Sequence, residues 1–222
     1  MKYIFTFILI FFTSVISFSQ NNIQQDNFDL RAGMGISFIS VPSLTDYLNL
    51  NFTAPGQRLA TFGSAVTFSG EAGYFLNEHY EIGIEIAYLI NSYNYSYSLG
   101  EYRLNYGIIM PSILNYYVIR GKGFDFKFGG GIGPRFVSAV QQLPGTPTSQ
   151  TYTSTGFGLI LKADGNTLLS GNLYANIGVD LKYDFNGEPK SGNQYLVNNA
   201  YNQNVNFNAL SAGLRLGVSY IF

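Results

Sequence analysis

The 222-residue sequence has no cysteine, one histidine and little charge. Without cysteine there is no disulfide framework, no thiolate metal site and no cysteine nucleophile. The single histidine, His79, leaves no His/Asp/Glu cluster with metal-ligand spacing, and no glycine motif that would cradle a phosphate is present. No metal and no cofactor is therefore expected. Charged residues make up 11% of the chain, against about 25% in soluble domains. The formal net charge of −1 offers nothing to a polyanion, so nucleic acid is excluded as a partner. Long apolar runs are also missing beyond the N-terminus, and no later segment is long enough to cross a membrane as a helix.

What the chain does have is aromatics, at 17%, and 25 glycines. The N-terminus reads as a secretory signal: Met1-Lys2 is a short basic start, Tyr3 to Phe12 is almost wholly apolar, and Ser17-Phe18-Ser19 places small residues where a signal peptidase inspects them. Residues 1–19 are expected to be that signal, and residues 20–222 to be one domain.

That domain alternates. In the last thirteen residues, Leu210, Ala212, Leu214, Leu216, Val218, Tyr220 and Phe222 share one parity, while Ser211, Gly213, Arg215, Gly217, Ser219 and Ile221 share the other. Period-two alternation is a strand with different surroundings on its two faces. This one has the length of a membrane-spanning strand, about nine to eleven residues. Eight such segments are predicted, over about 28–40, 62–75, 80–91, 102–118, 124–137, 153–164, 172–184 and 207–222. Their connections alternate in length. Leu76–His79, Ile119–Gly123 and Gly165–Gly171 are short, whereas Val41–Thr61, Ala139–Tyr152 and Phe185–Asn206 are long. Short turns on one side and long loops on the other is the pattern of outer-membrane barrels.

The charges set the phase. Fifteen lie in the predicted strands, at Asp29, Arg31, Glu71, Glu81, Glu85, Arg103, Asp125, Lys127, Arg135, Lys162, Asp164, Asp180, Lys182, Asp184 and Arg215. Within each strand all of them share one parity. That parity also carries glycine (Gly33, Gly35, Gly83, Gly107, Gly129, Gly131, Gly133, Gly178, Gly213 and Gly217), which suits a crowded interior where small residues make room for long ones. The opposite parity is apolar, with Phe28, Tyr74, Tyr80, Tyr88, Tyr102, Tyr116, Tyr183, Tyr220 and Phe222 near strand ends, as expected of interfacial girdles. Two prolines, Pro111 and Pro134, fall inside strands. A closed barrel has no free edge for them, and a bulge or an irregular pairing is expected at Pro111.

The signal, the eight alternating strands and the terminal Tyr220-Ile221-Phe222 resemble the small OmpA/OmpX-type outer-membrane barrels of Gram-negative bacteria. The resemblance implies an all-β, eight-stranded antiparallel up-and-down transmembrane β-barrel without a periplasmic domain. It also implies that outer-membrane lipid surrounds the barrel and that Tyr220 and Phe222 are read by the barrel-assembly machinery.

Eight strands enclose a lumen that side chains can fill. The expected content is a structural ion-pair network built from Arg31, Glu71, Glu81, Glu85, Arg103, Asp125, Lys127, Arg135, Lys162, Asp180, Lys182 and Arg215. The expected function is structural or surface-interacting, with a narrow porin-like channel as the alternative. Enzymatic action on lipid would need a base near the outer leaflet, whereas His79 falls in a periplasmic turn. In the first loop Ser43 is expected to cap a short helix whose Leu44, Tyr47 and Leu48 share one face. That face either folds over the mouth or meets an extracellular partner. Tyr93, Tyr95 and Tyr97 predict a third strand running on into a protruding hairpin, and the asparagine-rich last loop is expected to be mobile.

Overall fold

The computed structural model describes residues 27–53, 58–97 and 100–222. The secretory segment 1–19 lies outside the described residues. Eight long strands form the body: β1 (Phe28–Ser40), β2 (Gly63–Asn77), β3 (Tyr80–Tyr97), β4 (Gly100–Gly121), β5 (Phe124–Gln142), β6 (Ser149–Ser170), β7 (Leu173–Phe185) and β8 (Ala209–Ile221). Each pairs antiparallel with its chain neighbour, and β1 pairs with β8, so the sheet closes on itself and no edge is left. At the closing seam Phe28 and Phe222 exchange two backbone hydrogen bonds of 2.8 Å, and their rings stack at 5.8 Å.

The strands exceed the predicted spans mostly at one end. β6 continues to Ser170, and the three short connections are two-residue turns, at 78–79, 122–123 and 171–172. β3 and β4 stay paired from Tyr80↔Tyr117 to Tyr97↔Gly100, the hairpin that the tyrosine alternation predicts.

Outside, the barrel presents a continuous apolar surface that includes Met34, Ile84, Ile86, Ile113, Leu161, Ile177 and Leu216, all more than half exposed. Such a surface in water would be a liability, and in a bilayer it is the lipid face. Phe28, Tyr74, Tyr80, Tyr117, Phe124 and Tyr220 ring one end, and Tyr88, Phe136, Phe157, Tyr183 and Phe185 ring the other.

One strand has the opposite phase from that expected. In β4 the even residues point inward: Tyr102, Leu104, Tyr106, Ile108, Met110, Leu114, Tyr116 and Val118 are all buried. Arg103 points outward, above the belt, and pairs with half-buried Glu101. Tyr102 and Tyr116 are therefore not girdle residues, and Tyr117, on the T-shaped contact with Tyr80, takes that place. β4 carried a single charge to set its phase, with nothing in the strand to check it. The inner wall that it supplies is apolar, so its two faces look alike. Ile113→Arg tests the phase. On a lipid-facing site it is expected to cost about 2–4 kcal/mol in urea titrations of vesicle-inserted protein. Unchanged stability would return Ile113 to the lumen.

The two prolines make an irregular pairing and not a bulge: the ladder pairs of residues 110–112 are missing. Register is unbroken from Ile109↔Phe136 to Ile113↔Ile132, which sets Pro111 opposite Pro134 across the β4–β5 seam. Each lacks the N–H that the other's carbonyl would accept. Nη1 of Arg135 donates instead to both Pro111 O (3.3 Å) and Pro134 O (3.0 Å). Pairing the prolines confines the loss of ladder bonds to one place, where one guanidinium offsets it.

Candidate functional site

The lumen is filled in layers. At its centre lies an interlocked cluster of five carboxylates and four cations. Arg31 on β1 reaches Asp29 (2.9 Å), Glu71 (2.8 Å), Glu81 and Asp164 (3.3 Å). Lys127 joins Asp29 and Glu81, the latter at 2.6 Å. Lys162 joins Glu71 (2.7 Å) and Glu85 (2.5 Å), and Arg215 joins Glu85 (3.3 Å) and Asp164. Every member is buried. Five strands, β1, β2, β3, β5 and β6, contribute directly, with β8 adding Arg215. Isolated charges here would each cost several kcal/mol, and pairing makes them tolerable.

The remaining inward charges form satellites. Arg135 pairs with Asp184 at 2.5 Å and Lys182 with Asp180 at 2.7 Å. Asp125 accepts from Asn166, which accepts from Asn176, a polar chain across β5, β6 and β7. With Arg103 outside, the fifteen charges predicted to face inward become eight carboxylates and six cations rather than eight and seven. Much of the glycine follows from this crowding. A Cβ on Gly73 would strike the Glu81 carboxylate, and one on Gly213 would strike that of Asp180. Gly129, Gly131 and Gly133 have a different reason: a Cβ there would meet the backbone of β4 at 2.0–2.3 Å.

Apolar layers lie on both sides. Towards the periplasm lie Phe75, Val118 and Ile221, which join Leu114, Tyr116 and Ile160 packed beside the cluster, and the Arg120 guanidinium sits 3.9 Å from the Phe75 ring centre. Towards the outside the first loop folds into α1 (Pro42–Asn51), which buries Leu44, Tyr47 and Leu48. These three pack on Ile39, Leu89, Tyr102, Leu104, Ile108, Val137 and Phe207 inside the mouth. Of the two alternatives for this face, folding over the mouth is therefore the one realised. Gln141 donates to the Tyr47 and Tyr102 hydroxyls at 2.6 and 3.1 Å. Burial pushes the Tyr47 phenol up, so it stays neutral. Ser43 does not cap α1. Val41 holds that position and Pro42 occupies the first turn, where its missing N–H has no intrahelical partner to lose. The Ser43 hydroxyl accepts from Asn206 N–H instead, at 3.1 Å.

The last loop is built rather than loose. Lys190–Ser191 pairs with Gln194–Tyr195, and Val197–Asn198 with Gln203–Asn204, as two short hairpins. Leu196, Val205 and Phe207, all buried, anchor it in the mouth. Its asparagines hid this pattern, although the three apolar residues spaced among them were the available signal. A cavity of about 10 Å³ between the central cluster and the mouth is lined by Ser37, Thr67, Glu85, Asp180, Lys182 and Arg215. That volume holds about one water.

No family model matches the sequence, and no curated protein is detectably similar to it. Solved structures are similar in shape. Neisserial surface protein A is 15% identical, with a TM-score of 0.52, covering 88% of this chain and 97% of that one. Ail, the attachment invasion locus protein of Yersinia pestis, is 12% identical, with a TM-score of 0.52, covering 90% and 100%. The fold is that of the small outer-membrane β-barrels. With its apolar belt and aromatic rings, the barrel resides in the outer membrane, its two-residue turns periplasmic and its long loops outside. Tyr220 faces lipid from the closing strand, and Phe222 closes the seam beside it.

Proposed function

We propose that this chain is a non-conducting barrel that presents its loops at the cell surface in a structural or interaction role. The observation that carries the reading is the layering of the lumen. Apolar plugs lie above and below a buried charge cluster in which every cation of the four meets at least two carboxylates. An ion path would require these pairs to part and α1 to leave the mouth. The partners that fit are outer-membrane lipid around the belt, the barrel-assembly machinery at Tyr220 and Phe222, and an extracellular ligand at the loops. The role is not catalytic. His79 sits in a periplasmic turn, stacked on Tyr117 at 5.9 Å with Nδ1 3.3 Å from Val118 O, so no imidazole serves the outer leaflet.

Purified folded protein in planar bilayers is expected to stay silent across the voltage range. Stable unitary openings would sink this reading in favour of a narrow channel.

A further inference from the structure

A groove of about 460 Å³ opens beside the mouth, between the first turn of α1 and the hairpin at 197–204. Its floor is the upper edge of the β1–β8–β7 wall, where Ser40 pairs with Leu210 and Leu210 with Tyr183. Tyr183 and Leu210 are outward-facing and lie at the top of the belt. The groove therefore stands at the level of the outer-leaflet headgroups.

Its polar lining is arranged in one sense. Asn198 Oδ1 accepts from Ala200 N–H (3.2 Å) and Asn51 Nδ2 (3.1 Å). Asn206 Oδ1 accepts from Asn208 N–H (3.2 Å), and Asn208 Oδ1 accepts from Gly187 N–H (3.1 Å). Each amide oxygen is thus committed to the protein, which fixes the orientation of the amide. The three Nδ2 groups remain as donors without a partner among the described residues. Asp46 adds an acceptor to the same groove, and Tyr201, at 61% exposed, adds a flat amphipathic ring.

This combination selects a ligand class. Hydroxyls donate one hydrogen bond and accept others, so a polyhydroxylated molecule can satisfy both the amide donors and the carboxylate. A tyrosine ring offers contact area at low entropic cost beside adaptable asparagine hydrogen bonding. An apolar ligand would leave the amide donors unsatisfied. A phosphate or sulfate would face Asp46 in a groove whose lining contains neither Lys nor Arg. We propose that the groove is a binding site for a neutral saccharide, either the headgroup of an outer-leaflet glycolipid or a free oligosaccharide. The proposal rests on the loops being a surface-presenting element.

The test is to follow the side-chain amide resonances of Asn198, Asn206 and Asn208 by NMR, with the whole barrel in nanodiscs. One arm adds maltotriose, mannotriose or chitotriose in solution, and the other places diglucosyl diacylglycerol in the bilayer. Saturable shifts of these amides are expected in at least one arm, and the arm that responds identifies the source. Sulfated maltotriose is expected not to shift them. N206D and N208D keep the oxygen that holds the loop and delete the donors; Y201A deletes the ring. Each is expected to weaken binding about five- to tenfold while leaving the heat-dependent gel shift of the barrel unchanged. No shift in either arm, equal binding by all three variants, or preference for the sulfated sugar overturns the site. Conductance is scored separately. A silent barrel that ignores saccharides rejects only this site, and a conducting one that binds them rejects only the non-conducting reading of the lumen.

Discussion

Arg31→Met is expected to lower the unfolding free energy of the barrel by about 3–5 kcal/mol, the largest effect of any single luminal substitution. Methionine fills a similar volume, so the loss isolates the charge. Arg31 is the only cation of the central cluster that reaches four carboxylates, Asp29, Glu71, Glu81 and Asp164, contributed by β1, β2, β3 and β6. Without it, five carboxylates share Lys127, Lys162 and Arg215. Asp29 and Glu81 then depend on one ammonium, and like charges face each other in a dry interior. Arg31→Lys should fall between wild type and Arg31→Met, because a single ammonium cannot hold the forked geometry of a guanidinium against several carboxylates. Urea titrations in lipid vesicles, read by the difference in mobility between heated and unheated protein, measure both. A change within about 0.5 kcal/mol for Arg31→Met, the range of ordinary surface substitutions, would show that the cluster contributes little to holding the strands together.

The second large effect is expected at the mouth. Leu44→Ala and Leu48→Ala each remove a fully buried side chain from the seat of α1, which costs about 2–5 kcal/mol for a leucine in a well-packed core. The cost should appear as local opening, because α1 has no side-chain N-cap and no basic residue in its last turn to hold it as an isolated helix. Amide exchange over 42–51 should speed up strongly in the double variant, while the strands keep their protection. Planar bilayers should nonetheless stay silent, because the charge cluster lies beneath the plug. Openings in the Leu44→Ala/Leu48→Ala protein would make α1 the seal and the cluster a permeable layer. Unchanged exchange over 42–51 would mean that the helix is held by the loop, through Ser43 and Asn206, and not by its apolar face.

Most of the barrel was legible because the pleat has a period of two and the bilayer demands opposite faces. Strands with several charges, such as β5 with Asp125, Lys127 and Arg135, fixed their own phase. β4 did not, since Arg103 lies above the belt, where an outward charge meets water. Of the candidate luminal residues other than Arg103, seven meet in the central cluster and Asp125, Arg135, Asp180 and Lys182 form satellites, but no spacing in the chain indicates which pair with which. Arg31 and Asp164 are 133 residues apart, and Lys127 and Asp29 are 98 apart. The groove was illegible for a related reason. Its lining mixes α1, the ends of three strands and the last loop, and its chemistry depends on which end of each amide is already occupied.

By itself the sequence determined the alternation, the strand number and the side on which the long loops emerge, because these follow from local periodicity and chain parity. Only the tertiary structure decided the phase of β4, the Pro111–Pro134 pairing, the wiring of the charges and the burial of Leu44, Tyr47 and Leu48. Those depend on register around a closed ring, where each strand's facing residue is fixed by its neighbours and not by its own sequence.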